Sequence, residues 1–189
     1  GLRPQAVVIV ASIRALKHHG GVAKTDLGNE NLAALEKGLP NLLQHVENIT
    51  KVYKLPAVVA INRFPTDTEA ELAMVESKCR ELGVNVALSE VWEKGGEGGR
   101  ALAEEVVRLC EKESDMEFCY ELETSIEDKI RTIAQRIYRA KDIAMLPAAK
   151  KQMEQLTALG FDKLPICMAK TQYSFSDDAS LAGTPKDFV

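Results

Sequence analysis

The strongest constraint on this chain is a rhythm. Four short apolar runs, rich in β-branched residues and bounded by turn formers, recur along it: "AVVIVAS" at 6–12, "PAVVAIN" at 56–62, "NVALSEV" at 85–91 and "LPICMA" at 164–169. Runs without polar alternation are how strands read when both faces of their sheet are covered. Segments with helical spacing separate them. In "DTEAELAMVESKCRELG" Leu72, Val75, Cys79 and Leu82 step by three or four residues, with Thr66 or Asp67 placed to cap the start and Gly83 to end it. "NENLAALEKGLPNLLQHVENITKVY" sets Leu32, Leu35, Leu39, Leu42, Val46 and Ile49 on one face, and Pro40, lacking an N–H, is expected to kink or split that helix. Further helices are expected over 98–112, 125–139 and 147–159. Strands alternating with helices predict right-handed crossovers and an α/β fold, a mostly parallel sheet with helices on both faces.

In such sheets ligands gather beyond the carboxyl ends of the strands. Every unusual stretch falls there: "RALKHHGG" after the first strand, "NRFPTD" after the second, "WEKGGEGG" after the third and "KTQYSFSDD" after the last. The four loops are expected to line one crevice. The organisation that follows is an α/β core over 1–113, a helical insertion over 114–163 and a final strand with its crevice loop over 164–189. The first run is apolar enough to be a central strand, its free edge covered by the segment 114–146 or by a second copy. Because the chain enters that run almost at once and finishes on a polar loop, it is expected to be a fragment of a larger enzyme.

Composition narrows the partners. Lys and Arg number 24 against 28 Asp and Glu, without a basic block, so neither a nucleic-acid nor a membrane surface is indicated, and small molecules are the expected ligands. No run approaches the length of a membrane span, and no secretory leader is visible. Cys79, Cys110, Cys119 and Cys167 lie far apart, with no CxxC pair and no histidine at ligand spacing, and read as reduced thiols of a cytoplasmic protein. His18, His19 and His45 do not form a metal triad by spacing.

The glycine cluster "GGEGGRA" lacks the lysine and hydroxyl of a Walker A loop, and matches a dinucleotide fingerprint only if Ala101 replaces the last glycine. Its alternatives are a ligand-hugging loop and a plain turn with positive φ before a helix. Trp92, beside those glycines at a strand's end, suits a flat wall over the crevice better than a core position. Phe64 in the neighbouring loop gives a second wall, and together they suggest a slot for a planar heterocycle. Asn62 can donate to and accept from a base or carbonyl, and Thr66 and Asp67 read as a helix cap. Arg14, Lys17, His18 and His19, ahead of Gly20 and Gly21, suit an anionic ligand, although a solvated loop explains Lys17 and His18 equally well. Lys170, Thr171 and Ser174 have the chemistry to coordinate a nucleotide or to sit in a surface loop. No GxSxG, HExxH or Cys-His nucleophile arrangement occurs.

The segments "AVVIVASIRALKHHGGVAKTDL", "ENLAALEKGLPNLLQHVENI", "PAVVAINRFPTDTEAEL", "ALSEVWEKGGEGG", "EDKIRTIAQRIY" and "LPICMAKTQYSFSDD" together resemble the formate-tetrahydrofolate ligases, in the family's order and close to the bacterial single-function form. The resemblance implies a Rossmann-like fold related to the P-loop NTPases. It also implies ATP-dependent ligation of formate to tetrahydrofolate through formyl phosphate, with ATP, magnesium and tetrahydrofolate as the small molecules and a homo-oligomeric parent enzyme. It assigns the folate slot to Phe64 and Trp92 with Pro65 and Leu88 alongside, and to Gly95, Gly96, Gly98 and Gly99 the passage of backbone close to the ligand. Nucleotide or phosphate contacts would fall to Asn62, His19, Lys170, Thr171 and Ser174, and no residue to a metal. The family's Walker-type loop has no counterpart in these residues. A non-catalytic folate-binding or assembly module is therefore the alternative reading of the chain by itself.

Overall fold

Three of the four apolar runs become strands. In the computed structural model, which describes residues 2–168, 175–178 and 180–189, β1 (Val7–Ala11), β2 (Ala57–Asn62) and β3 (Asn85–Ser89) form a parallel sheet in the order β1-β2-β3. Val8 pairs with Val58 and Ala60 with Ala87, so the even-numbered residues of β1 and β2 share a face with the odd-numbered residues of β3. The chain divides into two compact units, 2–116 and 117–189.

The sheet unit is built by covering β2 first. On one face Ala57, Val59 and Ile61 meet Ile13 and Leu16 of α1 (Ile13–His19), Leu35, Leu39, Leu42 and Val46 of α2 (Leu32–Glu47), and Leu72, Val75 and Cys79 of α3 (Glu69–Glu81). On the other, Val58 and Ala87 pack against Leu109 of α5 (Arg100–Cys110). Between β3 and α5 lie the short α4 (Val91–Lys94) and a 3₁₀ turn over Gly95–Gly99. The centre of the sheet is therefore β2, buried at all but its last residue. The first run, expected as a central strand, lies at the edge of this chain's sheet: among the described residues β1 pairs with β2 alone, no strand forms between 114 and 146, and Val8 and Val10 stay exposed on the α5 face.

Three local expectations also change. The stretch read as a loop after β1 is α1, capped by the Ser12 side chain, which accepts the Ala15 N–H at 3.2 Å. Its partner α2 runs unbroken through Pro40 and on into a π-helical turn at Asn48–Val52. Proline is tolerated there because it and Glu36, whose carbonyl it leaves without a donor, both lie on the exposed side, where water replaces the missing N–H. The α1–α2 crossing is tight enough to require Gly38, since a Cβ there would stand 1.8 Å from the Leu16 carbonyl oxygen. Finally, the cap of α3 is Thr68 rather than Thr66 or Asp67, in a reciprocal capping box with Glu71.

Residues 117–189 carry α6 (Ile126–Arg136) and α7 (Pro147–Ala158). Leu164–Met168, expected as the fourth strand, are not in a strand. Pro165 has no N–H to offer a ladder. The Ile166 backbone is satisfied instead by one phenol: the Tyr120 hydroxyl accepts its N–H at 2.7 Å and donates to its carbonyl at 3.1 Å.

Candidate functional site

Parallel pairing brings the carboxyl ends of β1, β2 and β3 to one side of the sheet, and with them Ser12, the loop 62–68 and the segment 90–99. The loop 62–68 is pinned by its own side chains. Asp67 Oδ2 accepts the Phe64 N–H at 2.8 Å, and the Phe64 carbonyl accepts the Asp67 N–H at 2.9 Å. Asp67 is thus buried as a loop brace rather than as the cap read from the sequence. Burial pushes its carboxyl above the ordinary range and Glu71 adds to the shift, against the Phe64 N–H and the cations of Lys17 and Arg14. Thr66 is no cap either, since its hydroxyl accepts from Arg14 Nη2 at 3.2 Å. The Arg14 guanidinium carbon lies 4.4 Å from the centre of the Phe64 ring, over its face.

Beneath this loop sits an ion pair that the sequence did not disclose. Lys17 Nζ lies 2.8 Å from Glu71 Oε1, both side chains are wholly buried, and Nζ also donates to the Asn29 carbonyl at 2.8 Å. Glu71 accepts the N–H groups of Asn31 and Thr68, each at 3.1 Å. Burial opposes its ionisation, yet the Lys17 ammonium and these two amides hold it below the usual carboxylate value. Lys17 is therefore withdrawn from any ligand. His18 Nδ1 donates to the Val22 carbonyl at 2.9 Å. His19, half-buried at the end of α1, is held below its ordinary pKa by burial and by His18.

The second loop is tied to the first through Arg63. Its guanidinium reaches Glu69 at 2.7 Å and Glu90 at 3.2 Å, and Glu90 also takes Lys94 at 2.7 Å. Glu90 carries the base of α4, from which Trp92 projects with 86% of its surface exposed. Gly98 is needed at that base: its carbonyl accepts the Glu90 N–H at 3.0 Å, and a Cβ on it would come within 2.4 Å of the Glu90 carbonyl oxygen. Gly95 turns the chain at φ 57°, while Gly96 borders open space. Of the other residues named from the sequence, Asn62 and Pro65 are exposed and Leu88 is half-buried against the main core. Lys170, Thr171 and Ser174 lie outside the described residues.

Leu88 also borders a cleft of about 680 Å³ along β3, with Glu90, Lys94, Gly98, Ala101 and Glu105 among its walls. Neither Phe64 nor Trp92 is among the walls of that cleft. The family model described as formate–tetrahydrofolate ligase matches residues 1–189. The chain belongs to the formate–tetrahydrofolate ligase family. Sequence reasoning did not find the bracing roles of Arg14, Arg63 and Asp67. The i, i+3 spacing of Phe64 and Asp67 was a legible turn signal, but nothing local told that Arg14, far earlier in the chain, meets Phe64.

Proposed function

We propose that residues 62–99 form the tetrahydrofolate-facing side of a formate–tetrahydrofolate ligase, with Phe64 and Trp92 as walls for the folate's aromatic portion and Pro65, Leu88, Gly95 and Gly96 at its edges. The observation that carries this reading is Trp92: a large ring left 86% exposed, at the carboxyl end of β3, on a base fixed by Glu90, Lys94 and Gly98. An indole held in water on a braced turn is costly unless a flat partner covers it. In the reaction, formate oxygen attacks the γ-phosphorus of ATP, giving formyl phosphate and ADP. N10 of tetrahydrofolate then attacks the formyl carbon, phosphate leaves, and N10 loses its proton.

What these residues do for that sequence is to bind and orient the acceptor. The walls hold the ring system flat so that N10 faces the acyl carbon, and the apolar edges exclude the water that would hydrolyse an acyl phosphate. The donor set does not fit the triphosphate. The turn at 95–99 offers one positive-φ glycine and neither a lysine nor a hydroxyl, and no cluster of three metal-binding side chains occurs among the described residues. We therefore assign no phosphoryl step to the sheet unit and infer that this chain alone binds folate without cleaving ATP, in an enzyme that is cytoplasmic and homo-oligomeric. Among the described residues, Asn62 and His19 are the candidates for a phosphate oxygen.

Trp92 is the only tryptophan, so its emission reports the slot directly. Titration with tetrahydrofolate is expected to quench it. Trp92→Ala is expected to weaken binding by about 1–3 kcal/mol. Unchanged emission at saturating folate, or a Trp92→Ala variant that binds as tightly as the parent, defeats the assignment.

A further inference from the structure

Phe64 has two ring faces, and one of them is covered by a cation. The guanidinium of Arg14 lies over it at 4.4 Å from the ring centre. It is not a passing contact. Nη2 is anchored on the Thr66 hydroxyl at 3.2 Å, and Nε is buried with no hydrogen-bond partner among the described residues. A buried guanidinium nitrogen without an acceptor is compensated only by what lies beside it, and here that is the electron-rich face of the ring. Meanwhile the Phe64 backbone is fixed by Asp67, so the ring's remaining freedom is rotation of the side chain, which the stacked cation removes.

We propose that Arg14 is a positioning residue of the folate slot: by occupying one face of Phe64 it fixes the ring plane and leaves the opposite face as the stacking surface. This rests on the slot reading above. Arg14 acts through Phe64 and touches neither formate nor phosphate. The cation also draws electron density from the ring, which favours an electron-rich partner such as an aminobenzoyl or reduced pterin ring on the open side. The basic residue that the sequence offers for an anion thus serves a stack.

The test is a double-mutant cycle read by direct tetrahydrofolate binding, using Trp92 emission on the 189-residue chain. Arg14→Met keeps the length and removes the planar cation. It is expected to weaken folate binding about three- to ten-fold, with Arg14→Lys recovering part of the loss. In a Phe64→Leu background the same change is expected to have no further effect. Should Arg14→Met fail to fold, Thr66→Val releases the Nη2 anchor and is expected to weaken binding in the same direction, by less. Loss of binding in Phe64→Leu with unchanged binding in Arg14→Met overturns this proposal and leaves the slot standing. Equal losses from Arg14→Met with and without Phe64 also overturn it, since the cation would then act independently of the ring. Full binding by Phe64→Leu removes the slot, and this proposal with it.

Discussion

Among the described residues each unit of the chain buries one lysine completely, and the two solve the problem differently. In residues 2–116 Lys17 meets an equally buried carboxylate, Glu71, at 2.8 Å. In residues 117–189 Lys129 meets no carboxylate in any described contact: its ammonium donates to the carbonyls of Asp162 at 2.6 Å and Leu164 at 3.1 Å. The sheet unit satisfies its backbone by ladders and helices, so its buried cation is free to tie α1 to the start of α3. The other unit has no strand ladder among the described residues; backbone bonds join Lys141 to Phe188 and Asp187 to Arg139, and several other irregular segments take their hydrogen bonds from side chains. Tyr120 serves Ile166, Arg136 serves the Cys119 carbonyl at 2.7 Å, and Lys163 serves that of Glu123 at 2.6 Å. A buried charge is a cross-link between elements in the first case and a substitute for secondary structure in the second.

Removing the carboxylate is the most damaging way to break this comparison. Glu71→Ala strands the Lys17 ammonium in the core and frees the Asn31 and Thr68 amides together, and is expected to cost about 3–5 kcal/mol in urea unfolding. Replacing both partners, Lys17→Met with Glu71→Leu, is expected to recover much of that, because the desolvation penalty vanishes with the charges. If the double replacement is as unstable as Glu71→Ala, the pair stabilises more than it costs. Lys129→Met is next, at about 2–3 kcal/mol, since it leaves two carbonyls without donors but strands no charge. Its signature is local: hydrogen exchange is expected to rise around 160–166 while β2 and α3 keep their protection. A uniform rise across β2 would mean that the lysine's role is not confined to its own unit.

The contrast also sorts what could be read in advance. Periodicity gave α3, α5, α6 and α7 to within a few residues, because in each the apolar stripe and the cap signals lie within one turn of the ends they mark. It gave three strands for the same reason. "LPICMA" misled because its composition is strand-like while Pro165 and the distant Tyr120 decide its hydrogen bonds. "RALKHH" does not read as a helix because its charged residues break the stripe, and Lys17 turns out to face inward. An ion pair between residues 17 and 71 has no local signature, and neither has a stack between 14 and 64. Aromatics and glycines at strand ends pointed to the loops that hold the candidate site. The charges that hold those loops in place were legible only in three dimensions.

Gly98→Ala probes the candidate site at smaller cost. A Cβ at 2.4 Å from the Glu90 carbonyl oxygen forces the base of α4 to shift, with an expected loss of about 1–2 kcal/mol. Trp92 emission should move with it, and Gly96→Ala, which meets open space, should leave both unchanged. Equal effects from the two would show that the 95–99 turn has no fixed packing against Glu90.

The smallest effect separates two buried carboxyls that respond to acid in opposite senses. Glu71 is held below its ordinary 4.5, so the stability it contributes is present at neutral pH and is lost as pH falls through that lowered value. Asp67 is raised above its ordinary 3.8, so it binds its proton more readily folded than unfolded. The stability linked to that proton is present below the unfolded value and is lost as pH rises through the raised one. Asp67→Asn keeps an oxygen for the Phe64 N–H and abolishes the titration. Relative to the parent, the variant is therefore expected to gain stability as pH rises from about 3 to about 7, by less than the Glu71 effect, and to show a steeper acid limb because Asp67 no longer offsets Glu71. In residues 117–189 the carboxylate of Asp142 is lowered chiefly by Arg131 but is exposed, so solvent screens its share of the acid response. Urea unfolding at several pH values decides the sign. A variant whose advantage shrinks as pH rises would mean that the cations of Arg14 and Lys17 outweigh burial at Asp67, and the brace beneath Phe64 would then be an ion cluster rather than a buried acid held by one amide.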